Sequence, residues 1–123
     1  MRKIAVVEDN EDNRLLVRTL LEDRYEVSEY ETGIDALDGL NSDRPDLVLL
    51  DISLPGMDGT EVLARLREDP ELTSLPVVAL TAHAMAGDRE RFLDLGFDDY
   101  LTKPIVEDQS LFASIEKLLG PKT

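Results

Sequence analysis

The chain has 123 residues and carries 13 Lys and Arg residues against 27 Asp and Glu residues, a net charge of −14 at neutral pH. It has no cysteine and one histidine, which excludes a disulfide framework and a zinc site made of thiolates or several histidines. The charge disfavours direct binding to nucleic acid. No apolar run approaches the roughly 20 residues of a membrane span, and no signal peptide is evident, so we expect a cytoplasmic chain.

Five short runs of apolar and β-branched residues predict five strands. They are KIAVVE at 3–8, YEVSEYE at 25–31, DLVLLD at 46–51, PVVALT at 76–81 and DYL at 99–101. The first, third and fourth runs are apolar throughout, which is typical of central parallel strands covered on both faces. The second and fifth runs are more typical of edge strands.

Helical patterns separate these runs. They cover 13–24, a segment after the capping pair Thr32 and Asp35, a segment after the pair Asp58 and Glu61, 84–95, and a last stretch at 111–119. The fourth helix contains Gly87 and few apolar residues, so we expect it to be the loosest, and its DRER run at 88–91 is interpreted as a solvated face. The alternation predicts a three-layer α/β sandwich with a parallel sheet, and one domain over residues 1–123 without an output domain.

Polar side chains follow the predicted strands where a functional site would lie. In an open α/β sheet, ligands bind outside the carboxyl ends of the strands. Glu8 and Asp9 follow the first run, Asp51 ends the third, Thr81 ends the fourth, and Lys103 follows the fifth. Crowded carboxylates favour a hard cation such as Mg²⁺, and the hydroxyl and ammonium suit a phosphoryl group. Asp51 is the predicted nucleophile, because it ends the most apolar run.

These residues and their spacing resemble the receiver domains of two-component response regulators over essentially the whole chain. The matching landmarks are the acidic pair Glu8-Asp9, DLVLLDISLPGMDG at 46–59, VVALTAHA at 77–84 and YLTKP at 100–104. The resemblance implies a flavodoxin-like fold with strand order 2-1-3-4-5.

The resemblance also implies roles for individual residues at the site. Asp51 would be the phosphoacceptor, Lys103 would contact the phosphoryl group, and Mg²⁺ would be held by Glu8, Asp9, Asp51 and the backbone carbonyl of Ser53. Since Glu8 stands where many members have Asp, direct and water-mediated metal contacts both stay open.

A second set of roles concerns the response to phosphorylation. Thr81 would contact the phosphoryl group, and Thr81 and Tyr100 would form the switch, while Ala82 and His83 would border the site. Three of these residues also have a plain structural interpretation: Thr81 as a helix cap, Tyr100 as an edge-strand aromatic residue, and His83 as a solvated loop residue.

The implied function is that of a signalling phosphoacceptor rather than an enzyme with its own substrate. The donor would be a phosphohistidine on a sensor kinase or histidine phosphotransfer protein, and the modified chain would change the surface of its fourth helix, fifth strand and fifth helix. A downstream protein would read that change. We expect a monomer, and phosphorylation-dependent dimerisation stays open.

Three other classes compete with this interpretation. A constitutive pseudo-receiver would bind partners without phosphorylation, but would be expected to have lost residues of the acidic cluster. A phosphatase of the haloacid dehalogenase type would have a second Asp two residues after Asp51, where this chain has Ser53. A flavin carrier would have a hydroxyl- and glycine-rich loop where this chain has EDNEDN at 8–13.

Overall fold

Five strands alternate with five helices in the computed structural model, which describes residues 2–82, 87–103 and 108–120. The strands and helices, in chain order, are β1 (Lys3–Val7), α1 (Glu11–Leu21), β2 (Glu26–Tyr30), α2 (Gly33–Ser42), β3 (Leu47–Asp51), α3 (Gly59–Glu68), β4 (Val77–Thr81), α4 (Asp88–Leu95), β5 (Asp99–Thr102) and α5 (Asp108–Leu119). Among the helices of these described ranges, none has the length and apolar character needed to cross a membrane.

The strands form one parallel sheet in the order β2-β1-β3-β4-β5, which confirms the predicted fold class and strand order. Successive side chains of each central strand point to opposite faces. In β1, Ile4 and Val6 belong to a core cluster that includes residues of α1 and α5, whereas Ala5 and Val7 belong to a second cluster that includes residues of α2, α3 and α4. The two cores account for the uninterrupted apolar runs of β1, β3 and β4.

The predicted bounds of the first helix were wrong at both ends. The helix spans Glu11–Leu21 rather than 13–24, and the side chain of Asn10 caps it by accepting a hydrogen bond from the backbone N of Asn13 at 3.0 Å. The apolar periodicity starts only in the second turn, so it cannot reveal the first turn. Glu11 and Asp12 in that turn are placed favourably relative to the helix dipole.

The capping pairs predicted for α2 and α3 are confirmed. Thr32 Oγ1 accepts a hydrogen bond from the backbone N of Asp35, and Asp58 Oδ1 accepts one from the backbone N of Glu61, each at 3.0 Å. Residues 84–86 of the predicted fourth helix lie outside the described residues. Its described part follows Gly87 (φ 87°), so Thr81 does not cap that part. That α4 is the loosest helix stays a prediction.

The interpretation of the 88–91 run as a solvated face was wrong for Asp88 and is confirmed for residues 89–91, which are exposed. Asp88 is buried, and its carboxylate lies 3.4 Å from the Arg91 guanidinium. Arg89 is half-exposed, but its guanidinium lies 3.1 Å from the buried carboxylate of Asp99. The spacing of residues along the helix does not predict the contact between Arg89 and Asp99, because this contact joins α4 to the start of β5.

Candidate functional site

Asp51 is the last residue of β3, the central strand of the sheet, and only 1% of its surface is exposed. Its Oδ1 atom accepts a hydrogen bond from the backbone N of Ser53 at 3.0 Å. The backbone N of Ile52 donates to Leu80 O, and the backbone N of Gly59 donates to Ile52 O, both at 2.9 Å. Pairing to the neighbouring strand and to the start of α3 therefore fixes the backbone beside this carboxylate.

Two further carboxylates meet Asp51 at the carboxyl edge of the sheet. Glu8 follows β1 and is 1% exposed, whereas Asp9 is exposed. One carboxylate oxygen from each of Glu8, Asp9 and Asp51 lies within 4.8 Å of the others. An all-oxygen set that is buried on one side and open to solvent on the other fits Mg²⁺, which usually keeps several water ligands and binds one or two carboxylates.

Lys103 supplies positive charge inside this cluster. Its Nζ atom donates to Glu8 Oε1 and to Asp51 Oδ2, each at 3.0 Å, and 13% of its side chain is exposed. Burial alone would lower the pKa of Lys103, but the hydrogen bonds to Glu8 and Asp51 outweigh burial and raise that pKa. The side chain therefore stays an ammonium at neutral pH.

Burial of Glu8 raises its pKa from 4.5 to about 7, and a hydrogen bond with Asp51 adds to the effect. Hydrogen bonds from Lys103 and from the backbone N of Asn10 act in the opposite direction. One ammonium thus leaves the two buried carboxyl groups incompletely compensated. A divalent cation that binds at such a site therefore stabilises it.

We predict that Mg²⁺ binds more tightly as the pH rises through this range. Below pH 7 a metal ion displaces a proton from Glu8, so the apparent dissociation constant falls as the pH rises, by up to about tenfold per pH unit well below pH 7, and levels off above pH 7. Isothermal titration calorimetry at pH 6.0, 7.0 and 8.0, values chosen to bracket the pKa of about 7, measures this slope. In the variant Glu8→Gln the slope should disappear, and a pH-independent affinity of the unaltered protein would contradict the assignment.

The same pKa determines the sign of a stability effect in the absence of metal. A pKa raised in the folded state means that the native chain holds this proton more tightly than the unfolded chain. The contribution of protonated Glu8 to the free energy of unfolding is therefore fully present below pH 4.5 and is lost as the pH rises towards 7. Mg²⁺ should offset the loss.

The other predicted site residues differ in burial and in their place on the strands. Thr81 ends β4 beside β3 and is buried, and its backbone O accepts a hydrogen bond from the backbone N of Lys103 at 2.7 Å. Tyr100 is half-buried in β5, next to β4. Ala82 and Ser53 are exposed. The predicted role of His83 falls outside the described residues, and the switch roles of Thr81 and Tyr100 stay predictions.

Two supporting residues were not predicted from the sequence. The Arg14 guanidinium donates to the backbone O of Glu8 at 2.9 Å, and so ties α1 to the acidic pair. Gly59 allows α3 to begin against the end of β3, since a Cβ atom at this position would lie 2.8 Å from Ile52 Cα and closer still to Asp51 O. The two glycines of the segment GMDG at 56–59 could have indicated a close approach of the backbone there, whereas nothing in the sequence pointed to Arg14.

Comparisons with known proteins agree with this fold. The family profile of the response regulator receiver domain matches residues 4–116. A putative response regulator from Chloroflexus aurantiacus has a structure similar to this chain, with a TM-score of 0.90 and 29% identity over 98% of both chains. The receiver domain of sensor histidine kinase PA1611 from Pseudomonas aeruginosa, which has magnesium coordinated in its active site cleft, gives a TM-score of 0.87 and 33% identity over 98% of both chains.

The chain therefore belongs to the response regulator receiver domain family and is a receiver domain of two-component systems. Among curated relatives, it is 46% identical over 105 residues to the polar-differentiation response regulator DivK of Brucella anthropi, which covers 85% of both chains. It is 48% identical over 111 residues to the sensor protein GacS of Pseudomonas syringae pv. syringae. That match covers 87% of this chain and only 12% of GacS.

Proposed function

We propose that this receiver accepts a phosphoryl group on Asp51 from a phosphohistidine, in a reaction that depends on Mg²⁺. The observation that carries this proposal is the convergence on Asp51 of two more carboxylates and the Lys103 ammonium at the carboxyl edge of the sheet. A nucleophilic carboxylate, a cation site and a fixed ammonium are the groups that phosphoryl transfer to an aspartate requires.

The chain's own side chains have distinct tasks in this transfer. A carboxylate oxygen of Asp51 forms the new P–O bond while the P–N bond to the donor imidazole breaks. Lys103, now 3.0 Å from Asp51 Oδ2, balances charge on the phosphoryl oxygens. Mg²⁺ would be held by Glu8, Asp9, Asp51 and the Ser53 carbonyl, and it would supply further positive charge when bound.

Phosphorylation then changes the surface that partners bind. The hydroxyl of Thr81 moves to the phosphoryl group, and the ring of Tyr100 occupies the space that Thr81 leaves. This shift favours a second arrangement of α4, β5 and α5, and a downstream protein reads that arrangement. A coupling free energy of about 1–3 kcal/mol would change partner affinity by roughly 5- to 150-fold.

The partners follow from the chemistry of the site and from the family. A sensor histidine kinase or a histidine phosphotransfer protein of the cytoplasm donates the phosphoryl group, and hydrolysis of the acyl phosphate ends the signal. The match to the sensor protein GacS supports a kinase-linked setting, whereas the match to the response regulator DivK supports the role of a response regulator.

The test is intact-mass spectrometry after incubation with acetyl phosphate. We expect the protein to gain one phosphoryl group when Mg²⁺ is present, and to gain none when Mg²⁺ is removed by chelation. The variant Asp51→Asn should gain none under either condition, and the variant Asp46→Asn, altered at the residue that directly precedes β3, should behave like the unaltered protein. No gain under rapid sampling, together with no binding of a phosphoryl mimic, would favour a constitutive pseudo-receiver.

A further inference from the structure

A second charged cluster surrounds β5, apart from the acidic site. Asp99, the first residue of β5, is buried, and both of its carboxylate oxygens accept hydrogen bonds. Oδ1 accepts from the backbone N of Tyr100 at 2.9 Å and from Arg89 at 3.1 Å. Oδ2 accepts from the hydroxyl of Ser114 at 2.7 Å and lies 3.1 Å from Nζ of Lys117. One carboxylate thus joins α4 and α5 to β5.

Arg89 also contacts the ring of Tyr100, and in the described part of the chain Lys117 has no such contact. The Cζ atom of Arg89 lies over the ring of Tyr100, 5.9 Å from the ring centroid. The ring of Phe92, also on α4, has its centroid 6.0 Å from that of Tyr100. A guanidinium at this distance from an aromatic face is attracted to it. Tyr100 therefore lies against a cation fixed by Asp99 and an apolar ring of the same helix.

We propose that Arg89, oriented by Asp99, is a positioning residue that holds the ring of Tyr100 against α4 and so opposes the switch. The inference rests on the proposed function. A contact made in one of two conformations stabilises that conformation alone. Movement of the Tyr100 ring towards Thr81 gives up the contact with Arg89, so the contact favours the unphosphorylated arrangement.

Thermodynamic linkage between the switch and phosphoryl binding gives the direction in which the loss of Arg89 changes the affinity. If Arg89 stabilises the unphosphorylated arrangement, its removal favours the switched one and raises the affinity for a phosphoryl mimic by the same factor. From the usual strength of an exposed cation–π contact, the factor is about 2- to 5-fold.

Lys117 provides a matched control for Arg89. The two side chains are 53% and 51% exposed, and each lies 3.1 Å from a carboxylate oxygen of Asp99. Both variants, Arg89→Ala and Lys117→Ala, remove one positive charge and one ion pair with Asp99. They differ in the contact with Tyr100, so a purely electrostatic or structural role predicts equal effects.

The experiment measures the beryllofluoride concentration that half-saturates the Mg²⁺-loaded protein, followed by amide NMR signals of β3 and β4. We expect Arg89→Ala to lower this concentration about 2- to 5-fold and Lys117→Ala to leave it unchanged. In a Tyr100→Ala background, Arg89→Ala should have no effect. Denaturant unfolding of each variant establishes that all of them are folded.

Equal values for Arg89→Ala and Lys117→Ala would overturn this inference, as would a persistent effect of Arg89→Ala in the Tyr100→Ala background. The proposed function can be tested separately. If the unaltered protein neither binds beryllofluoride with Mg²⁺ nor gains a phosphoryl group from acetyl phosphate, the proposed function fails, and the inference that rests on it fails too.

Discussion

Replacing Lys103 with glutamine is expected to slow phosphoryl gain from acetyl phosphate by at least about 100-fold, the usual effect of removing one fixed donor to developing charge. The ammonium lies 3.0 Å from both Glu8 and Asp51 and is largely buried, so water screens its charge only weakly. The initial rate of mass increase in the presence of Mg²⁺ measures the effect.

The substitution Lys103→Gln should also change the stability of the protein, and this effect distinguishes a loss of charge at the site from a failure to fold. Without Lys103, two buried carboxyl groups lose their common cation, so the metal-free variant should unfold at lower denaturant concentration, and Mg²⁺ should restore much of the difference. Lys3→Gln is the matched control, because Lys3 also pairs with two carboxylates, Glu26 and Asp43, but at the opposite end of β1. A Lys103→Gln variant with the unaltered rate would remove this residue from the chemistry.

Replacing Gly59 with alanine is expected to destabilise the protein by about 3 kcal/mol, at the upper end for overpacking against atoms that cannot move aside. The added Cβ atom would meet backbone atoms of Asp51 and Ile52 rather than flexible side chains. The start of α3 would have to move away from β3, which displaces the carboxylate of Asp51. Chemical denaturation measures the free energy of unfolding, and acetyl phosphate measures the accompanying loss of phosphoryl gain.

Gly56 provides a comparison in the loop that directly precedes α3. Its φ is 78°, and nothing lies within 4 Å of a Cβ atom built there, so Gly56→Ala meets backbone strain without a clash. The expected cost is about 1 kcal/mol, clearly below that of Gly59→Ala. Equal costs at the two positions would show that the close approach of α3 to Asp51 does not limit stability.

The sequence was a good guide wherever one physical requirement dominated. Buried parallel strands require uninterrupted apolar runs, and 46–51 and 76–81 met that requirement and became β3 and β4. Capping requires a short polar side chain three residues before a free backbone N–H, and Thr32 and Asp58 met it. Convergence of the strand ends followed from the parallel sheet alone.

Long side chains and steric fits could not be predicted in this way. Arg14 reaches the backbone O of Glu8, and Arg89 reaches Asp99 across ten positions, because the fold brings their helices near those atoms. The need for glycine at position 59 likewise arises from the close approach of two elements rather than from a turn conformation. The start of α1 was missed because its first turn carries acidic residues and no apolar ones.

The central claim is that Asp51 itself carries the phosphoryl group. Borohydride reduction of the acyl phosphate, after reaction with acetyl phosphate and Mg²⁺, converts the modified aspartate to homoserine, and peptide mass mapping then identifies the position. The account predicts homoserine at position 51 and at no other aspartate. Homoserine at Asp9, or an unchanged residue 51 in a protein that has gained a phosphoryl group, would contradict it.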